Sequence, residues 1–213
     1  MNDALGMLEV TGLTPTLVAV DAMEKTASVR VMQCELNDYY GICTKITGPA
    51  AAVHAAITAG REAAQRMGGQ PVSAIIDRVD DRAGEAIFSP PEFNPLIEQD
   101  VVFFPQYEPA TTTAASDGNQ PMTQENFALG LIETQGFTAV FDAIDTACKT
   151  ANVEVVGKEK LGGGYITIII KGDLSAVRAA VEAGKAKAED LGKVIAAHVI
   201  ARPSQSVLGL LPR

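Results

Sequence analysis

The chain says nearly the same thing twice. The run Ala4-Leu5-Gly6-Met7-Leu8-Glu9 recurs as Ala128-Leu129-Gly130-Leu131-Ile132-Glu133, and the correspondence continues without a gap to Arg78 and Arg202, with roughly a third of the paired positions identical. Unrelated stretches of ordinary composition agree at about one position in fifteen, so the chain is a tandem duplication. Whatever fold forms must therefore form twice within 213 residues, in units just large enough to bury a core each. Two copies of one fold in one polypeptide also favour pseudo-symmetric assembly, with two similar surfaces tuned separately.

Hydrophobic periodicity gives the same element order in each copy. A short apolar strand opens the unit, from Ala4 to Val10 and from Ala128 to Thr134. A helix follows over Thr14 to Thr26 and Thr138 to Thr150, with Leu17, Val20 and Met23, or Phe141, Ile144 and Ala147, at helical spacing and Thr14 or Thr138 as the expected N-cap. Two strands joined by a short loop come next, Val29 to Glu35 with Ile42 to Thr47 and Val153 to Glu159 with Tyr165 to Lys171. Gly48-Pro49 and Gly172-Asp173 end these hairpins, and Ala-rich helices run from Ala50 to Met67 and from Leu174 to Leu191. Strands Val72 to Val79 and Val194 to Ile200 close the units. The order β-α-β-β-α-β predicts an α/β (α+β) protein of two tandem ferredoxin-like domains, with antiparallel sheets carrying helices on one face and leaving the other face and the edges for assembly.

The expected division is a first domain over residues 1–88, an intervening segment over 89–126 and a second domain over 127–213. Within the intervening segment, Ser89 to Pro109 mixes prolines with Phe93, Leu96, Val101, Val102, Phe103, Phe104 and Tyr107, and is expected to pack on the first domain. From Ala110 to Asn126 the composition turns small and polar, as in a flexible tether.

A net charge of -9 disfavours nucleic-acid binding, which relies on Lys and Arg clusters. No run of 18 apolar residues is present, and Met1-Asn2-Asp3 leads straight into the first repeat, so no membrane span or secretory leader is expected and the predicted compartment is the cytoplasm. Cys34, Cys43 and Cys148 are odd in number and lack metal-ligand spacing, as expected for free thiols. Cys34 and Cys43 sit symmetrically about residues 38 and 39, where a hairpin would let them face each other.

Candidate chemical groups are few. Leu161-Gly162-Gly163-Gly164 lies inside a hairpin and lacks the sequence of a phosphate-binding loop, so it reads as a tight turn or as an opening lined by main-chain amides. His54 and His198 are not equivalent in the two repeats and have no ligand at metal or triad spacing. Glu9 and Glu133 are equivalent; paired carboxylates suit acid and base work, but each stands near the end of its own first strand, and a structural hydrogen-bonding role is favoured. Asp80, Asp81 and Glu85 read as a solvated acidic loop.

With these residues in view, the chain resembles the shell proteins of bacterial microcompartments, specifically the tandem-domain class with unpermuted element order. The resemblance rests on Gly130-Leu131-Ile132-Glu133, Lys149-Thr150-Ala151-Asn152-Val153, Lys160-Leu161-Gly162-Gly163-Gly164 and Ala201-Arg202-Pro203. It implies a homotrimer whose six domains imitate a hexagon and tile with other shell proteins around encapsulated enzymes. It implies tile-edge roles for Lys25, Arg78, Lys149, Asn152 and Arg202. It places Leu161, Gly162, Gly163 and Gly164 around a central pore in alternation with Asn37, Asp38, Tyr39 and Tyr40, for the passage of small polar metabolites. Some tandem members hold an iron–sulfur cluster through a loop cysteine; neither loop has one, so no cofactor and no metal are expected.

The reading is a non-enzymatic structural shell component. One alternative is a small-molecule-binding regulatory protein built on a duplicated ferredoxin-like fold. Another is an enzyme using Glu9 and Glu133 or Cys43, weakened by the lack of a convergent nucleophile, base and oxyanion site.

Overall fold

In the first strand of each repeat, alternate residues face a pair of helices, and the glycine in that row lets a helix approach the strand closely. A Cβ on Gly6 would come within 2.8 Å of Val53 and of Ile57, and one on Gly130 within 2.6 Å of Val181 and 2.8 Å of Val177. The computed structural model of the chain describes residues 3–37, 41–80, 83–95, 99–105 and 127–212.

The first domain runs β1 (Ala4–Thr11), α1 (Leu13–Thr26), β2 (Arg30–Leu36), β3 (Gly41–Gly48), α2 (Ala50–Arg66) and β4 (Val72–Ile76). α3 (Gly84–Ile87) follows β4, and the intervening segment contributes β5 (Phe93–Asn94), β6 (Gln99–Asp100) and β7 (Val102–Phe103). The second domain repeats the first as β8 (Ala128–Gln135), α4 (Phe137–Thr150), β9 (Glu154–Gly162), β10 (Tyr165–Gly172), α5 (Leu174–Glu189) and β11 (Lys193–Ile200), and α6 (Gln205–Gly209) follows. The sheets are ordered β4-β1-β3-β2-β7 and β11-β8-β10-β9, with β5 and β6 forming a small separate ribbon. Pairing within each domain is antiparallel, and the registers correspond: Glu9 lies between Cys43 and Val72, Glu133 between Thr167 and Ala196. The α/β (α+β) reading with two ferredoxin-like repeats stands.

Three local expectations are corrected. The helices start at Leu13 and Phe137, with Gly12 and Gly136 as N-caps; Thr14 and Thr138 lie inside the first turn and cap nothing. For α1, a carboxylate from the other domain takes the role that sequence assigns to a local hydroxyl. Cys34 and Cys43 do not face each other: the register pairs Cys34 with Thr44 and Glu35 with Cys43, and this one-residue offset sends the two thiols to opposite faces of the sheet.

The third correction concerns the sheet faces opposite the helices, which are partly covered within the chain. In the first domain, buried Lys45 forms a 2.8 Å ion pair with Glu35 and donates to the Ile87 carbonyl, with the Phe88 ring 5.8 Å from its ammonium. Gln33 donates to the Ser89 carbonyl. At the sheet edge, β7 pairs with β2 at Cys34 and Glu35, and the Leu36 amide donates to the Val101 carbonyl at 2.9 Å. In the second domain, Leu129, Leu131, Ile169 and Ile200 are buried in one cluster with Val207 of α6 and with Leu17, Val20 and Met23 of α1. One apolar core thus runs from the helices of the first domain to the sheet of the second. A separate core lies under α4 and α5, built from Ile132, Val140, Ile166, Ile168, Ile170 and Val177.

Candidate assembly interface and pore loop

Glu133 projects from β8 and is fully buried, and its two carboxylate oxygens accept the backbone amides of Leu13 and Thr14, each at 2.9 Å. The first turn of α1 has no intrahelical acceptor for those amides and carries the positive end of the helix dipole. A carboxylate held there satisfies both needs. Burial pushes the Glu133 carboxyl above the usual range; the two amides and the hydroxyls of Thr14 and Thr167 pull the other way without overcoming it. Glu133 is therefore a hydrogen-bonding residue committed to the joint between the domains.

The rest of the joint follows α1. The Asp21 carboxylate accepts the Ser204 amide at 3.0 Å, and Glu24 accepts the amide and hydroxyl of Ser206 at the start of α6. His198 of β11 is half-buried, and this lowers its pKa although Asp21 opposes the shift. Leu17 is buried, and Leu13, Leu17 and Leu161 line a small apolar cavity of about 30 Å³ at the junction.

This joint is head-to-tail. It brings the sheet face of one repeat to the first helix of the other, so each repeat uses only half of what its counterpart offers. The residues equivalent to Leu13 and Leu17 are Phe137 and Phe141, which are 46% and 44% exposed and pair at a ring separation of 5.5 Å. The residue equivalent to Ala196, 6% exposed beside Glu133, is Val72, 66% exposed beside Glu9.

Of the residues assigned to a pore, Leu161 has its side chain buried within the chain. It lies at the domain junction, beside Leu13 and Leu17. Gly162, Gly163 and Gly164 form the turn itself, with φ of 83°, 52° and 82°; three consecutive residues in this region explain the triple glycine, because a Cβ is disfavoured at every one. The Gly136 amide donates to the Gly164 carbonyl at 2.8 Å. Asn37 closes the corresponding stem in the first domain: its amide donates to the Gly41 carbonyl, its side-chain oxygen accepts the Gly41 amide, and its side-chain nitrogen donates to Glu9. Asp38, Tyr39 and Tyr40 lie outside the described residues, as do Asp81, the tether over 110–126 and the side chain of Glu85.

The edge candidates are exposed. Lys25 and Lys149 end equivalent helices and pair with Asp21 and Asp145 one turn earlier, at 2.5 and 2.6 Å, while Arg78, Asn152 and Arg202 stand in solvent. Among the described residues, no group of three or more His, Cys, Asp or Glu side chains is placed to hold a metal ion, and no helix is long and apolar enough to cross a membrane. Sequence reasoning missed the Lys45–Glu35 pair; its trace is a charged residue on each of two neighbouring strands, in a row otherwise facing a cover.

A family model described as the BMC domain matches twice, over residues 4–79 and 128–203. The chain belongs to the BMC-domain family. Among curated relatives, the bacterial microcompartment shell protein PduA of Salmonella typhimurium is 50% identical over 92 residues, which is 43% of this chain and 96% of that protein. The carboxysome shell protein CcmK2 of Thermosynechococcus vestitus is 47% identical over 87 residues, 40% of this chain and 85% of that protein. Either relative thus corresponds to little more than one repeat, whereas this member of the BMC-domain family carries two. A solved structure of a microcompartment protein from Desulfitobacterium hafniense DCB aligns over 98% of this chain and 99% of its own at 25% identity, with a TM-score of 0.37.

Proposed function

We propose that this chain is a structural shell protein of a bacterial microcompartment, acting as a homotrimeric tile with a central pore for small polar metabolites. The observation that carries the proposal is the head-to-tail joint between its own domains. Contacts that join unlike surfaces of like units propagate, and they close into a ring when the rotation permits. Three chains supply six such domains, the count that the hexagonal reading requires.

In this assembly the two hairpin turns alternate around the axis. The segment of Leu161, Gly162, Gly163 and Gly164 offers main-chain groups and space; Asn37, Asp38, Tyr39 and Tyr40 supply polar and aromatic side chains from the other repeat. Lys25 with Arg78, and Lys149 with Asn152 and Arg202, meet neighbouring tiles, where the planar Arg fork suits donation to several carbonyls at once. The partners are then other shell proteins and the enzymes they enclose, in the cytoplasm. The regulatory-protein alternative is disfavoured by the likeness to shell proteins over nearly their whole length.

Negative-stain imaging of the purified protein at raised concentration tests the proposal. Flat sheets or tubes are expected from the native chain, and discrete rings without sheets from the double variant Lys25→Glu with Lys149→Glu. A native protein that never tiles would contradict the shell role.

A further inference from the structure

The internal joint between the domains predicts the external one in atomic terms. Its components are a carboxylate on the sheet (Glu133), two helix-terminal amides (Leu13 and Thr14) and two apolar side chains on the helix (Leu13 and Leu17) that line the junction cavity with Leu161. Each has a counterpart on the outside of the same chain. Glu9 occupies the position of Glu133, the amides of Phe137 and Thr138 that of the α1 amides, and Val72 that of Ala196. Phe137, Phe141 and Val72 are exposed apolar side chains lying where their counterparts are covered.

We infer that Glu9 of one copy of this chain accepts the α4 amides of Phe137 and Thr138 from a second copy, a contact that covers the exposed Phe137 and Phe141, and that Asn37 ties this contact to the stem of the first hairpin loop. The inference rests on the ring reading proposed above and deepens it by naming the groups that close the ring. The occupant of the exposed α4 face is a second copy because this chain already contains the surface that covers such a face, in the geometry of its own domain joint.

The link to the loop is specific to the contact between chains. The Asn37 side chain bridges Glu9 and the Gly41 amide, and a carboxylate has acceptor sites enough for Asn37 and two helix amides together. The second repeat has Leu161 in place of Asn37, so the joint inside the chain carries no such bridge. Docking of α4 fixes the Glu9 carboxylate, the carboxylate fixes Asn37, and Asn37 holds the Gly41 end of the loop.

The test measures the ring-to-monomer equilibrium by native mass over a dilution series for the full chain, Glu9→Ala and Phe137→Ser with Phe141→Ser. The phenylalanine variant changes side chains exposed in the single chain and leaves its core intact. A shift of about tenfold or more toward monomer is expected for each variant, the scale of losing hydrogen bonds to a charged group or covered aromatic area. Hydrogen exchange at the Gly41 amide is read in parallel: assembly slows it in the native chain and does not in Asn37→Leu. A native chain with no ring at all overturns the ring reading itself. Rings that resist dilution equally in all variants, or a Gly41 amide indifferent to assembly in the native chain, overturn this inference and leave the ring reading standing.

Discussion

Glu133 and Thr14 lie 119 positions apart in the chain, yet the Glu133 carboxylate accepts the Thr14 backbone amide at 2.9 Å. The bond joins the sheet of the second repeat to the first helix of the first, and the pattern of either repeat alone would not suggest it. It turns two similar domains into one directional unit, and directionality is what a ring needs.

Replacing Glu133 by Ala is expected to destabilise the chain by about 1–3 kcal/mol, since it leaves two buried helix-terminal amides without an acceptor. Urea unfolding measures it. Separate transitions for the two domains in the variant would further identify this carboxylate as the coupling between them.

The same residue gives a pH signature. Its folded pKa lies above the ordinary value of 4.5, so in the window between the two the folded state binds more protons than the unfolded state and stability falls as pH rises. Lowering pH through that window is therefore expected to stabilise the native chain relative to Glu133→Gln, which has no titration there. Paired thermal melts at stepped pH give the difference, and a difference that shrinks on acidification would contradict the burial-dominated shift.

Gly130→Ala is expected to cost about 1–3 kcal/mol through overpacking, because the added carbon would sit 2.6 Å from Val181 and 2.7 Å from Ile170. The loss should appear in the denaturant midpoint, with little effect when the same exchange is made at Gly84, which has open space around it.

Burial pushes the Cys34 thiol up to about 12, against a partial opposing effect of its Thr44 contact. At neutral pH it is held as the unreactive thiol. A thiol-reactive probe should leave Cys34 unmodified in the native protein and label it once the chain is unfolded, with exposed Cys148 reacting in the dissociated native chain; peptide mass mapping distinguishes the sites.

Most of the fold was legible because its signals are local. The strand run at Ala128, the helical spacing of Leu17, Val20 and Met23, and the glycines before α2 and α5 each report on their own neighbours. What was not legible depends on distant partners. The caps assigned to Thr14 and Thr138 failed because both helices begin a residue earlier, after Gly12 and Gly136, and at α1 a carboxylate from the other domain takes the first amides; the burial of Leu161 beside Leu13 and Leu17 likewise depends on a distant partner. The Cys34–Cys43 relation failed by one residue of register, which side-chain alternation turns into opposite faces of the sheet. The family resemblance named the edge and loop positions; the structure adds which repeat uses its glutamate internally and which leaves it open.

The central claim is that the open halves of this joint meet between copies and close a ring of three. Light scattering on the purified full chain tests it most directly. The account predicts a particle of three times the 22.3 kDa chain mass that dissociates on dilution; a monomer or dimer at every concentration would contradict it.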